Sequence, residues 1–179
     1  IDALILTEIK NITTNQELEE QKLEEELRKE SAVFPDDRKT DAIVNIIVST
    51  DNVSAKFEKN KNFINVVKSL GYKWNGSVWK KDISETTGTA EERAAELGNR
   101  LLNEGFPISI LDEEIREKAI NGNFEPECTR WIYRIKGKNK LIIKWKGYND
   151  DLYRKARSLP GAKWSNGMVV DVAHYLEVE

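Results

Sequence analysis

The residues that most often carry chemistry are scarce in this chain. It holds one cysteine, Cys128, and one histidine, His174. A zinc site of the usual Cys/His kind needs about four such ligands, and an internal disulfide needs a second thiol, so neither can be built. Cys128 would make a nucleophile with His174 as its base, but a lone cysteine beside a strand start is more often a small packed residue. The compact carboxylate groups are Asp112-Glu113-Glu114 and Asp150-Asp151. Either would suit the metal of a nuclease, yet both stand where a helix begins, and acids there complement the helix dipole. No GxxxxGK[ST] loop is present to cradle a phosphate. The expectation is therefore no catalytic residue, no metal and no cofactor: a binding protein rather than an enzyme.

Charge is plentiful, and it is unevenly placed. The 179 residues carry a net charge of -3. Asp2 to Lys39 holds eleven acidic and six basic residues, whereas Cys128 to Trp164 holds eleven Lys/Arg against two Asp, a local charge of +9. Such asymmetry says more about partners than the total does. The candidate nucleic-acid contacts in the basic segment are Arg130, Arg134, Lys136, Lys138, Lys140, Lys144, Lys146, Arg154, Lys155 and Lys163. Lys73, Lys80 and Lys81 are secondary candidates. Side chains alternate along a strand, and a three-residue Gly137-Lys138-Asn139 loop would set Arg130 opposite Lys146, Ile132 opposite Lys144 and Arg134 opposite Ile142. Trp131 and Trp145 would then share an apolar face, and the other face would be a basic stripe. Like charges directly opposite each other cost stability. Phosphate backbones reward such a stripe, because each neutralised phosphate releases counterions. A lysine-rich solubilising face or blunted edge strand is the plain alternative.

Two stretches, GYKWNGSVWKK from Gly71 and GAKWSNGMVVD from Gly161, resemble each other. Most of their aromatic rings are expected to fill small cores. Trp74 and Trp164 are the candidates for stacking on unpaired bases. Asn75-Gly76 predicts a type I′ hairpin turn.

The elements that must position these residues form a repeat. Strands are predicted at Ala42 to Ser49 and Val53 to Glu58, a helix at Asn62 to Leu70, and strands at Tyr72 to Trp74 and Val78 to Ile83. A second copy runs Arg130 to Lys136, Lys140 to Lys146, Asp150 to Leu159, Ala162 to Ser165 and Met168 to Val172, with Pro160 inserted and Val169 in the place of Trp79. Between the copies lie predicted helices at Ala90 to Glu104 and Asp112 to Ile120 and a short strand near Pro107 to Ile110. A helix trailing the second copy has barely begun at Ala173 to Glu179. Ahead of the repeat, Thr14-x-x-Glu17 reads as a capping box opening an acidic helix to about Ser31, with Leu18, Leu23 and Leu27 as a thin stripe, and Ile1 to Ile12 reads as an earlier short helix or as a piece cut from something larger. The expected fold is α+β: two repeated β-β-α-β-β modules with antiparallel sheets, preceded by an N-terminal helical segment. The expected domains are residues 1–40, 41–121 and 122–179.

The unit of a helix ending in Lys-Ser-Leu or Arg-Ser-Leu followed by a Trp pair resembles the HARP (HepA-related protein) domain of annealing helicases and similar modules ahead of bacterial and phage helicase motors. It stands here as KFEKNKNFINVVKSLGYKWNGSVWKKDI and, more loosely, as IKWKGYNDDLYRKARSLPGAKWSNGMVVDV. The resemblance implies binding of DNA, rather than RNA, at forks or single-strand/double-strand junctions, as an accessory to a motor that this chain does not contain. The competing expectation is a protein-protein adaptor or inhibitor, from a phage or other mobile element, that binds a partner or itself through the acidic helix at residues 14–31. No membrane association and a cytoplasmic location are expected, since no apolar run is long enough to span a bilayer. The first residue is Ile1 rather than Met, compatible with a piece of a longer protein.

Overall fold

Helix formers dominate the N-terminal segment, and they make one helix rather than two. In the computed structural model, which describes residues 2–175, α1 runs Asp2–Glu30 without a break. Thr14, expected to cap a helix start, lies inside it, and its hydroxyl donates to the Lys10 carbonyl at 2.8 Å. That bond to the carbonyl four residues back is the alternative use of a threonine hydroxyl within a helix. Only the C-terminal turn of α1 is fastened. Arg28 is the one buried residue of α1, its Nε donating to Glu24 at 2.9 Å and its Nη1 to the Ile46 carbonyl at 3.4 Å.

The chain divides into two compact units, Ile1–Pro126 and Glu127–Glu179. The first contains β1 (Ala32–Val33), β2 (Val44–Val48), β3 (Asn52–Lys56), α2 (Lys61–Ser69), β4 (Lys73–Trp74), β5 (Trp79–Asp82), α3 (Ala90–Asn103), β6 (Ile108–Ser109) and α4 (Glu113–Asn121). Its sheet order is β1-β6-β2-β3-β5-β4. The pairings within the β2-β3-β5-β4 module are antiparallel, as expected, and β6, which lies outside it, adds to β2 in parallel. Apolar residues at i, i+3 and i+4 spacing on α2 and α3 bury Phe63, Val67, Ala94, Leu97 and Leu101 against Val44, Ile46, Val53 and Ala55 of the sheet.

The boundaries expected at residues 40 and 121 both move. α1 and β1 belong to the first unit, β1 through its pairing with β6. Phe124 packs on the core, and the Glu125 N–H donates to Glu92 at 2.7 Å, which carries the unit on to Pro126.

The second unit contains β7 (Arg130–Arg134), β8 (Lys140–Trp145), α5 (Asp150–Ser158), β9 (Lys163–Trp164), β10 (Met168–Asp171) and a 3-10 turn at Val172–His174. Its strand order, β7-β8-β10-β9, reproduces β2-β3-β5-β4. The helices start alike, with Asn60 accepting from the N–H groups of Asn62 and Phe63 and Asn149 from that of Leu152. The fold is thus α+β, a long helix followed by two β-β-α-β-β modules. The second core is small: Leu141, Ala156, Ala162, Met168 and Val170. The trailing helix expected from Ala173 is a 3-10 turn as far as His174, and residues 176–179 lie outside the described residues.

Candidate nucleic-acid interface

A single residue of register decides which side chains share a face. β7 and β8 pair Arg130 with Trp145, Trp131 with Lys144, Ile132 with Ile143, Tyr133 with Ile142 and Arg134 with Leu141. The expected register, Arg130 opposite Lys146, is off by one. The connection is the four residues Lys136 to Asn139, closed by Ile135 N–H to the Lys140 carbonyl at 2.9 Å and Lys138 N–H to the Ile135 carbonyl at 3.1 Å, with Gly137 at φ 74°. The single basic stripe is therefore split. Arg130 and Arg134 lie on the face that bears α5, beside Leu141, Ile143 and Trp145. Lys140, Lys144 and Lys146 lie on the other face with Trp131 and Tyr133. No two cations are directly opposite in this ladder, so the like-charge cost inferred from the sequence is absent.

The repeat gives these positions a meaning. Ile46 pairs with Ala55, which pairs with Trp79; Ile132 pairs with Ile143, which pairs with Met168. Ile132 is thus the counterpart of Ile46, and Met168, not Val169, takes the place of Trp79, because the second copy's last turn is one residue shorter. Counting along the strands, Arg130 stands for Val44 and Arg134 for Val48. Counting from the asparagine caps, Lys155 stands for Val66. In the first unit Val44 is buried in the core and Val48 and Val66 pack against it, where α3 lies over β2 and β3. Among the described residues of the second unit no helix takes the place of α3. A cleft of about 470 Å³ opens there, lined by Ile132, Ile143, Trp145, Leu152, Ala156 and Leu159, with Arg130, Trp131, Lys144, Lys155 and Tyr175 completing its walls.

The other candidates are placed less freely. Lys140 donates to Asp171 at 2.6 Å, and that ammonium holds the Asp171 carboxyl below its usual range. Lys146 pairs with Glu127 at 3.2 Å, Lys80 with Asp82 at 3.1 Å, and Arg154 with Asp150. Lys81 is buried, 6% exposed, and donates to the Leu70 carbonyl at 2.6 Å at the end of α2; the expectation that it meets phosphate is corrected, since parity turns it inward. Lys136 and Lys138 lie in the exposed hairpin loop, and Lys73 and Lys163 are exposed at corresponding positions of β4 and β9.

Of the tryptophans, Trp74 and Trp164 are the exposed ones, at 53% and 56%. Trp164 leans on Trp145 and Tyr153, with ring centroids 5.7 and 5.8 Å away; Trp74 leans on Trp79 at 5.8 Å. Trp131 and Trp145, expected on one apolar face, lie on opposite faces, again by the register. Asn75 and Gly76 do not form a type I′ turn, because only Gly76 has positive φ, 102°. The Asn75 side chain instead accepts from the N–H groups of Ser77 and Val78, both at 2.9 Å.

Cys128 is exposed rather than packed. Asp112 caps α4, accepting from the Ile115 N–H at 3.0 Å, and Asp150 pairs within α5, as their positions at helix starts suggest. Among the described residues no group of three or more His, Cys, Asp or Glu is placed to hold a metal, and no helix is long and apolar enough to cross a membrane. In comparisons with protein-family models, curated proteins and solved structures, nothing matches the chain.

Proposed function

We propose that this chain is a non-enzymatic nucleic-acid-binding protein that holds DNA, at unpaired or forked segments, on its second β-β-α-β-β unit. One observation carries the reading: Arg130, Arg134 and Lys155 stand where the first unit has the packed valines Val44, Val48 and Val66. Arg130 and Lys155 line the apolar cleft, where long cationic side chains lay their stems on apolar surface and keep their heads in water, and Arg134 adds an exposed cation on the same face of the sheet. A cleft with apolar walls and a cationic rim suits a flexible polyanion whose bases seek a dry surface and whose phosphates seek charge. The exposed ring of Trp164 on the same unit adds a stacking surface. The HARP-like order of motifs supports the same ligand class, and with it a role as a cytoplasmic accessory to a helicase or a mobile-element replication system. An adaptor reading draws instead on the exposed apolar residues of α1.

The test is a titration of labelled single-stranded, duplex and forked DNA at two salt concentrations, with the wild-type chain and Arg130→Glu/Lys155→Glu. Binding that favours forked or single-stranded DNA, weakens steeply with salt and is lost in the variant is expected. Absent or salt-independent binding would overturn the proposal.

A further inference from the structure

The continuity of α1 brings together apolar residues that the sequence alone assigns to two segments. Ile5, Ile9, Ile12, Leu23 and Leu27 are 48, 53, 57, 58 and 45% exposed, and at 3.6 residues per turn they fall within a sector of about 60°. Leu18, expected in the stripe, points to the other side. Arg28, which fastens the helix to the Ile46 carbonyl, lies about 100° from Leu27, so the anchored side is not the apolar side. A helix that buries only one of its residues draws little stability from its own unit, and packing of an amphipathic face is what ordinarily supplies it.

The stripe is symmetric. Ile5 and Leu27 are equally distant in sequence from Gln16, as are Ile9 and Leu23, and Ile12 and Glu20. We propose that α1 pairs antiparallel with α1 of a second copy, on a two-fold axis through Gln16. Ile5 then meets Leu27 of the second copy, and Ile9 meets its Leu23, in an interface that uses the same patch on both chains. Gln16, with both an amide donor and an acceptor, bonds its own counterpart on the axis and fixes the register, as a single polar residue does in coiled coils. Charge selects the direction. Residues 17–30 hold seven Glu against Lys22, Arg28 and Lys29, whereas residues 2–13 hold only Asp2, Glu8 and Lys10. A parallel pair would set the two acidic halves side by side; the antiparallel pair sets each against the weakly charged half.

Sedimentation of the whole chain from about 1 to 100 μM tests the pairing. A monomer-dimer equilibrium is expected, weakened at least about tenfold by Ile9→Glu or by Leu23→Glu and unchanged by Leu18→Glu on the other side. All three positions are exposed, and an unchanged melting curve verifies that each variant folds. In a Cys128→Ser background, a mixture of Ile5→Cys and Leu27→Cys chains should cross-link 5 to 27. A monomer throughout the range, a dimer indifferent to Ile9→Glu, or predominant 5-to-5 cross-links would each overturn the proposal. None of these outcomes depends on whether the second unit binds DNA.

Discussion

Arg130 occupies in the second unit the strand position that Val44 occupies in the first, two residues before the matched isoleucines Ile132 and Ile46. Val44 is wholly buried, and Arg130 is exposed. The same backbone thus serves as core in one copy and as surface in the other, according to whether a helix such as α3 lies over it.

Restoring the first unit's residues separates binding from folding. Arg130→Val and Lys155→Val should leave the melting temperature of the second unit nearly unchanged, since exposed substitutions typically stay within about 0.5 kcal/mol. DNA affinity should fall, and the slope of log K against log salt should shrink by about 0.7 to 0.9 for each phosphate contact removed. Lost stability with intact binding would make the two cations structural.

Trp164 should contribute through its ring. Trp164→Ala is expected to cost about 1 to 3 kcal/mol on single-stranded DNA and little on duplex. Quenching of tryptophan fluorescence on titration, reduced in the variant, is the direct readout. Part of any stability loss comes from the contacts with Trp145 and Tyr153, worth about 0.5 to 1.5 kcal/mol each.

The order of strands and helices was legible because it rests on local signals: β-branched runs, helical spacing on α2, and the repeat that carries the same order into the second copy. Register was not legible. Whether Lys136 belongs to the strand or to the turn changes no local preference, yet it moves Arg130 and Arg134 to the opposite face from Lys144. The continuity of α1 was hidden for a related reason, since Thr14-x-x-Glu17 fits a helix start and a helix interior equally well. The equivalence of Arg130, Arg134 and Lys155 with three packed valines was implicit in the repeat, but it needed the true register before the copies could be aligned strand by strand.

Lys81 should behave as a core residue despite its charge. Its counterpart is Val170, itself buried, and its ammonium serves the Leu70 carbonyl at the end of α2. Lys81→Glu would place a carboxylate against that carbonyl and should destabilise the first unit by about 2 to 4 kcal/mol, measured by denaturant unfolding. DNA binding per folded molecule should be unchanged, the opposite of the pattern expected for Arg130→Glu.

Gly98 stands where α3 packs tightly on its neighbours. A Cβ there would lie 2.9 Å from Ala119 Cβ, 3.0 Å from Ile108 Cδ1 and 3.2 Å from Ile110 Cδ1. Gly98→Ala gains helix propensity but overpacks the contact with α4 and β6, and a net loss of about 1 to 3 kcal/mol is expected. A stabilised variant would mean that α4 can shift without cost.

Glu92 ties the end of the first unit to α3 and makes its stability depend on pH. Burial pushes the Glu92 carboxyl up, but the Glu125 N–H at 2.7 Å and the Lys118 ammonium at 3.0 Å outweigh it and hold its pKa below 4.5, the usual value. Lys118 is raised in turn by Glu92. Because the folded chain binds this proton more weakly than the unfolded chain does, protonation favours unfolding. The stabilisation is complete above pH 4.5 and is lost as the pH falls through the lowered folded value. Glu92→Gln should cost about 1 to 2 kcal/mol at neutral pH and flatten the acid limb of the stability curve, because the variant has no carboxylate to protonate. Denaturant midpoints measured from about pH 6 down to about pH 3 check this; parallel curves for the two proteins would show that Glu92 does not carry the acid sensitivity.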